Sequence, residues 1–478
     1  MKIAMFASEA LPLSKTGGLA DVTYALSKEL VKDGDEVVLF TPFYASIRKK
    51  NPKLSKIGTI NVPMSWRNLT ANIYLSEIEG IKYYLIENDF YFGRDNLYGY
   101  HDDAERFAFF AIACLNLLKY INFQADIVHV HDWQVGMVPT LLKERYCYDP
   151  FYAHMKSVLT IHNPAFKGFV DRYFLHDFWG LDDYLFDSGR VRFDNMVSTL
   201  KAGIVDADKI TTVSPTHRNE LLDQYSDQRL NGVLELRKDD FVGILNGIDY
   251  EEWNPSTDKL IAKNYSSKAW KMGKKACQED LLKTFHIEKG KGPLFGLVSR
   301  LSWQKGIDLV IESAKGFLNS YNDCSFIILG SGEYELERKV QLLRDQYPGR
   351  VGIYIGYNND LSHKIYAGCD FFLMPSLFEP CGISQMISQR YGTLPIVRYT
   401  GGLADTVEGY GESGVNKPDG IGFNNYDVNG LSYGIGKAKE LYLNAPEYDK
   451  IVSNALKKDN SWKRSAKLYR SLYLEIAK

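Results

Sequence analysis

The sequence predicts an α/β protein made of two doubly wound parallel-sheet units. Three observations carry that expectation. The chain has 478 residues, more than one ordinary core accommodates. Short β-rich apolar runs alternate along it with longer helical patterns, the arrangement of parallel sheets with helices on both faces. The alternation also occurs in two series, separated by GILNGIDYEEWNP, where Asn246-Gly247 and Pro255 punctuate the chain.

Taken in order, the first series offers strands at KIAMFAS (2–8), EVVLFTP (36–42), KYYLIEN (82–88), DIVHVHD (126–132), SVLTIHN (157–163), KITTVSP (209–215) and VGILNG (242–247). The second offers LFGLVSR (294–300), SFIILGSG (325–332), GIYIGY (352–357), DFFLMPS (370–376) and LPIVRYTGG (394–402), each followed by a plausible helix. We therefore expect an N-terminal domain over 1–245 and a C-terminal domain over 246–455. A final helical segment, 456–478, is expected to pack back across the boundary.

Composition narrows the function classes. Apolar residues make up 45% and charged residues 24%, ordinary for a globular chain. The formal net charge of -2 supplies no global field for nucleic acid or an anionic membrane, so any anion site is local. The six cysteines are scattered without a C-x-x-C pair, as in a reducing compartment. The N-terminal MKIAMFASEALPLSKTGG reads as a strand and loop rather than a signal peptide, and no run is long enough to span a bilayer. A cytoplasmic protein is expected.

In open parallel sheets, ligands bind where strands end and loops enter helices. The hexapeptide TGGLAD stands at two such places, Thr16 to Asp21 and Thr400 to Asp405. The first follows Lys15. Gly17 and Gly18 would let the backbone approach a phosphate, with Lys15 as a mobile cation; the plainer alternative is a Gly-rich helix cap. The second copy follows Tyr399 and is expected to shape the wall of a site rather than touch an anion.

Arg300 ends a clear strand and Lys305 follows five residues later, before the next helix. A guanidinium fork and an ammonium point charge together suit a developing diphosphate, although both also read as solvated surface cations. Glu379-Pro380-Cys381-Gly382 leads from a buried strand into a helix, where Glu379 would accept from sugar hydroxyls or simply face a helix dipole. Cys381 reads as packing. His129 and His131 share one strand face with Asp132 opposite, and no further metal ligand is evident. His162, at a strand end, is the better functional residue. Asp206-Ala207-Asp208 reads as capping or solvated charge rather than a metal loop.

With these residues assembled, the chain resembles the bacterial glycogen synthases and plant starch synthases, retaining glycosyltransferases of family 5. The matching motifs run almost end to end: KTGGLADV, HVHDWQVGMVP, TIHNPAFKG, KITTVSPT, GILNGID, SRLSWQKGIDL, GYNNDLSHKIYAGCDFFLMPS, FEPCGISQ and YGTLPIVRYTGGLADT. The resemblance implies two Rossmann-like domains facing a cleft (GT-B type). It implies transfer of glucose from ADP-glucose to the nonreducing 4-OH of an α-1,4-glucan primer, with retention and without a metal or cofactor. Lys15, Gly17, Gly18, Arg300 and Lys305 match donor diphosphate contacts. Glu379 matches the residue binding donor glucose hydroxyls, and Cys381, Gly382, Ile383 and Ser384 lie where glucose and phosphate are held. His162 and Asn246 match residues beside the glucosyl unit, and Tyr357 the position flanking the base. Asp21, Tyr98 and Asp132 fall on the acceptor side.

No carboxylate stands out as a nucleophile for double displacement. The family's one-face reaction is implied instead, with the leaving phosphate taking the acceptor proton while fixed cations stabilise charge. The chain departs from the family at HNPAFKG, with Pro164 and Phe166, and at SDQRLNGVLELRKDD, which lacks the usual glycines. Ile387 stands where some related transferases carry a second Glu, as in the bacterial synthases. Two alternatives remain: a UDP-sugar transferase of the same fold, and an inert glucan-binding scaffold. The intact Lys15, His162, Arg300, Lys305 and Glu379 argue against the scaffold.

Overall fold

The computed structural model describes residues 1–50, 52–288 and 290–477. Two compact units form, one from Met1–Asn246 with the segment from Trp462 onward, the other from Gly247–Ser461. Both are α/β. Among the described residues no helix is long and apolar enough to cross a membrane.

The first unit's strands are β1 (Lys2–Phe6), β2 (Glu36–Pro42), β3 (Ser55–Met64), β4 (Arg67–Ile78), β5 (Ile81–Glu87), β6 (Ile127–His131) and β7 (Lys156–Ile161). They continue with β8 (Phe169–Val170), β9 (Arg192–Phe193), β10 (Met196–Ser198), β11 (Lys209–Thr212) and β12 (Phe241–Gly243). Nine build one sheet in the order β12-β11-β7-β6-β1-β2-β5-β4-β3, while β8, β10 and β9 form a small antiparallel sheet. Pairing in the large sheet is parallel from β12 to β5 and antiparallel from β5 to β3. At its centre Ala4 of β1 lies between Val38 and Val128. Strands covered on both faces need no polar alternation, which is why β1 is apolar and buried from Ile3 to Phe6.

The hairpin β3–β4 escaped the sequence reading for the opposite reason. Its residues alternate between buried and exposed, so no continuous apolar run marks it. The helix Asp103–Tyr120 covers the buried face, and its Asn116 donates to the carbonyl of Asn61 at 3.1 Å. The chain's last helix, Trp462–Ile476, lies on this unit. Its Arg470 pairs with Asp35 at 2.9 Å, and its Tyr473 hydroxyl meets His129 Nδ1 at 2.8 Å.

The second unit has six parallel strands: β13 (Leu294–Val298), β14 (Ser325–Gly330), β15 (Val351–Ile355), β16 (Phe371–Met374), β17 (Leu394–Arg398) and β18 (Ile421–Phe423). Their order is β15-β14-β13-β16-β17-β18. β18, three residues long at the edge, carries too little pattern to be seen in sequence. The segment up to Ser461 stays with this unit: Lys458 pairs with Asp419, and the Asn460 side chain donates to Gln389 at 2.8 Å.

In both sheets the strand order reverses at one point. The chain moves outward from β1 through β2 on one side and from β6 through β7 on the other. It does the same from β13 through β14 and from β16 through β17. Loops diverge at such a reversal and leave a crevice beyond the carboxyl ends of the strands. Lys15 and Asp132 follow β1 and β6; Arg300 and Glu379 follow β13 and β16.

Candidate active site

In the second unit the reversal holds a cavity of about 190 Å³. Its lining includes Arg300, Lys305, Glu379, Ile383 and Ser384, five residues singled out in the sequence. Lys305 ends a 3-10 turn, Trp303–Lys305, after which Gly306 at φ 67° starts the next helix. A Cβ at Gly306 would stand 2.3 Å from the carbonyl oxygen of Pro375, so this turn presses against the loop leaving β16. That packing brings Lys305 Nζ to 2.5 Å from Glu379 Oε2. The Ser376 hydroxyl donates to the same oxygen at 3.1 Å.

Glu379 is therefore an oriented carboxylate, 9% exposed, with one oxygen committed to two donors. Arg300 is exposed and makes no side-chain hydrogen bond or ion pair among the described residues, so its five donors face the opening. Cys381 is buried as a packing residue, and Gly382 takes φ 72°, the left-handed turn into Ser384–Arg390. Sequence reasoning missed Ser376, although it stands three residues before Glu379. It also missed Arg398, whose guanidinium donates to the carbonyls of Ser376 and Leu377 at 3.2 and 2.6 Å and pins the loop.

Tyr357 stands apart from this cavity, 84% exposed beyond β15. Among the described residues its hydroxyl meets only Asn359, at 3.4 Å, which leaves the ring face open for stacking.

In the first unit, Lys15 pairs with Asp21 at 2.7 Å, and Glu9 accepts from both the backbone N–H and the hydroxyl of Thr16. Glu9, another residue the sequence reading passed over, thus holds the loop open as a side-chain strut. Burial raises the pKa of both Glu9 and Asp21. Tyr98 bonds Ser8 Oγ at 2.7 Å at the end of β1.

Asp132 departs from the period-2 reading that placed it opposite His129 and His131. β6 ends at His131, and Asp132 takes φ 59°, leaving the strand alternation. Its carboxylate turns to the end of β7 and accepts from the N–H groups of His162 and Asn163 at 2.7 and 3.2 Å. Burial pushes its pKa up to about 7, with those two donors pulling the other way. Asn246 is buried, and its Oδ1 has no hydrogen-bond partner among the described residues. Asp206 is occupied structurally, accepting from Thr140 at 2.6 Å and from Arg190, while Asp208 accepts from the Ser157 N–H at 2.8 Å.

Three histidines form a stack, with His129 and His131 buried and His162 half-buried at its end. His129 uses both ring nitrogens, one with Thr160 Oγ1 at 2.6 Å and one with the Tyr473 hydroxyl at 2.8 Å. His131 Nδ1 meets His162 Nε2 at 3.0 Å, so one proton is shared there and His162 presents its Nδ1 side outward. Burial lowers the pKa of His129 and of His162 to about 3, and holds that of His131 well below the usual imidazole value. All three are neutral at pH 7. Because the unfolded chain binds their protons near pH 6.5, their contribution to stability is complete above that pH and is lost as pH falls toward about 3. Asp132, with a raised value, acts with the opposite sign between about 4 and 7. Melting temperature is expected to fall on acidification below about pH 6, and less steeply in His129→Gln; equal slopes in the two proteins would contradict this.

The two TGGLAD copies differ physically. Lys15 to Gly18 are exposed, a Cβ on Gly18 would meet nothing within 4 Å, and one on Gly17 only Glu9 at 3.7 Å. In the second copy a Cβ on Gly401 would stand 2.0 Å from the Glu379 carbonyl oxygen, and one on Gly402 2.0 Å from that of Cys381. The Gly402 N–H donates to the Glu379 carbonyl at 3.1 Å. The second copy is thus the backing of the Glu379 loop. Gly402→Ala is expected to destabilise the second unit by ~2 kcal/mol or more through overpacking, whereas Gly18→Ala leaves the melting temperature near wild type and lowers turnover. Equal melting temperatures for the two variants would refute the distinction.

With this geometry in view, comparison with known proteins is direct. A family model for the starch synthase catalytic domain matches residues 2–236, and one for glycosyl transferases group 1 matches residues 279–458. The chain is 41% identical over 480 aligned positions to the glycogen synthase of Geobacillus thermodenitrificans (strain NG80-2), covering 100% of this chain and 98% of the relative. It is 42% identical to that of Bacillus cereus (strain Q1), covering 100% of both. Among solved structures it is similar to the catalytic domain of starch synthase IV from Arabidopsis thaliana bound to ADP and acarbose. That match has a TM-score of 0.90 and 29% identity, over 99% of each chain. The sucrose-phosphate synthase of Thermosynechococcus elongatus, at 15% identity and a TM-score of 0.60 over 99% of each chain, shares the fold. The chain belongs to the glycogen and starch synthase family of glycosyltransferases.

Proposed function

We propose that the protein transfers glucose from ADP-glucose to the nonreducing 4-OH of an α-1,4-glucan, retaining the α configuration, in a cytoplasmic setting. The observation that carries this reading is the cavity at the β13/β16 reversal, where Arg300 and Lys305 flank the oriented carboxylate of Glu379. Two cations beside an acceptor of sugar hydroxyls suit a glucosyl diphosphate. The starch synthase IV relative, whose structure holds ADP, supports the choice of nucleotide.

Arg300 and Lys305 stabilise the charge that grows on the departing diphosphate, and Lys15 with its open Gly17-Gly18 backbone adds a third cation. Glu379 fixes the donor sugar through its remaining oxygen. Cys381, Gly382, Ile383 and Ser384 form the turn against the glucose and phosphate, and Tyr357 stacks on the base. Asn246 brings an unpartnered buried oxygen for a donor hydroxyl, and neutral His162 offers Nδ1 beside the glucosyl unit. Asp21, Tyr98 and Asp132 are assigned to the acceptor side.

The reaction breaks the anomeric C–O bond to the diphosphate and forms the new bond on the same face. The leaving phosphate oxygen takes the proton of the acceptor hydroxyl. A double displacement would need a carboxylate set to attack the anomeric carbon, and the one carboxylate lining this cavity, Glu379, is assigned here to the donor's hydroxyls. Positive charge is supplied by side chains, so EDTA is expected to leave the rate unchanged.

Incorporation of labelled glucose into a glycogen primer tests the reading, comparing ADP-glucose with UDP-glucose, each with and without EDTA. Faster transfer from ADP-glucose is expected. No transfer from either donor would refute the synthase reading; a preference for UDP-glucose would refute the donor assignment.

A further inference from the structure

The second unit has a larger cavity, about 600 Å³, between the loop after Tyr399, the end of β18 and the helix Val428–Leu443. It shares no lining residue with the Arg300 cavity, and its size lies within the ~300–1,000 Å³ of small-molecule sites. We propose that it is a second binding site for the glucan chain, separate from the place of glucosyl transfer. The identity of the ligand rests on the function proposed above.

The chemistry of the lining selects a neutral polyol. Its one carboxylate, Glu412, already accepts from the Tyr399 hydroxyl at 2.7 Å. Its ammonium, Lys437, is held by the Tyr410 carbonyl at 2.8 Å and lies 5.3 Å from the Tyr433 ring centroid. One carboxylate and one ammonium leave the lining with no net charge, and each already has a neutral hydrogen-bond partner, so the site favours a neutral ligand over an ion. What stays open is three carboxamides. Asn424, Asn425 and Asn429 are exposed at the cavity, and their side chains make no hydrogen bond among the described residues.

Each carboxamide supplies two donors and an acceptor in one plane, which matches neighbouring hydroxyls of a pyranose that both donate and accept. Tyr433, 57% exposed, adds a ring face for the sugar's C–H side and a polar tip. The same lining offers little to a lipid, because its polar groups would be left without partners. A polymeric acceptor gains from such a site: a chain held at one point keeps its other ends at high effective concentration near the transfer site.

The test uses the full-length chain with Tyr433→Ala and Asn425→Ala, both at exposed positions outside the transfer machinery. In native gels containing glycogen and no donor, each variant is expected to be retarded several-fold less than wild type. In kinetics with ADP-glucose, KM for glycogen is expected to rise several-fold while kcat and KM for maltotriose stay unchanged. Wild-type retardation in both variants would overturn the proposal, as would equal losses with maltotriose and glycogen. The gel needs no catalysis, so its outcome is read independently of whether glucose transfer occurs.

Discussion

Lys305→Ala is expected to lower turnover about 10²-fold with ADP-glucose and glycogen, the loss typical of removing one preorganised electrostatic contact. Two effects act together. In the proposed reaction the variant removes a cation from the diphosphate, and it leaves Glu379 Oε2 with the Ser376 hydroxyl as its remaining partner in a part-buried place. The first effect appears in kcat. The second loosens the carboxylate proposed to hold the sugar and is expected as a higher KM for the donor. Lys305→Arg keeps the charge but changes its shape, so it is expected to recover part of kcat only. Steady-state kinetics of both variants check this; turnover of Lys305→Ala within about threefold of wild type would remove Lys305 from the reaction.

Tyr473→Ala is expected to cost about 3–5 kcal/mol of stability, as for other fully buried aromatic truncations. Tyr473 has no exposed surface, its ring centroid lies 5.8 Å from that of His129 and 6.2 Å from that of Tyr469, and its hydroxyl is the partner of His129 Nδ1. Truncation opens a cavity under the C-terminal helix and orphans a buried imidazole nitrogen. Tyr473→Phe keeps the volume and loses only the hydrogen bond, about 1–3 kcal/mol. Denaturant unfolding followed separately in the two units, for instance by labels placed in each, is expected to shift the first unit and leave the second near wild type. A loss below about 1 kcal/mol for Tyr473→Ala would mean that the helix does not depend on this contact.

How much of this was legible from the chain depends on the kind of residue. The parallel strands that carry the candidate site are buried on both faces, so β1, β13 and β16 stand out as apolar runs and β6 as a β-branched run interrupted by two histidines. The residues just past them could be named for the same reason. The hairpin β3–β4 and the short β18 left no such signal. Asp132 was misplaced because strand alternation was carried one residue beyond the strand, where φ changes sign.

Ser376 and Glu9 were passed over because a hydroxyl or carboxylate acquires a role only through what it touches. Ser376 touches Glu379, and Glu9 touches Thr16.

The sequence by itself determined the fold class, the order of the strand-to-helix turns and the residue types at their ends, because these follow from local periodicity and from the glycines and charges at fixed spacing. It also determined the family, through motifs spread along the whole chain. Only the tertiary structure decided which of those residues meet. Lys305 and Glu379 are 74 positions apart, and His129 and Tyr473 are 344 apart; no local pattern reports such pairs, since they exist only when separate strands and helices pack. The same holds for the repeated hexapeptide. Identical residues open into free space in one place and press against the Glu379 loop in the other, because close packing is a property of neighbours rather than of the glycines themselves.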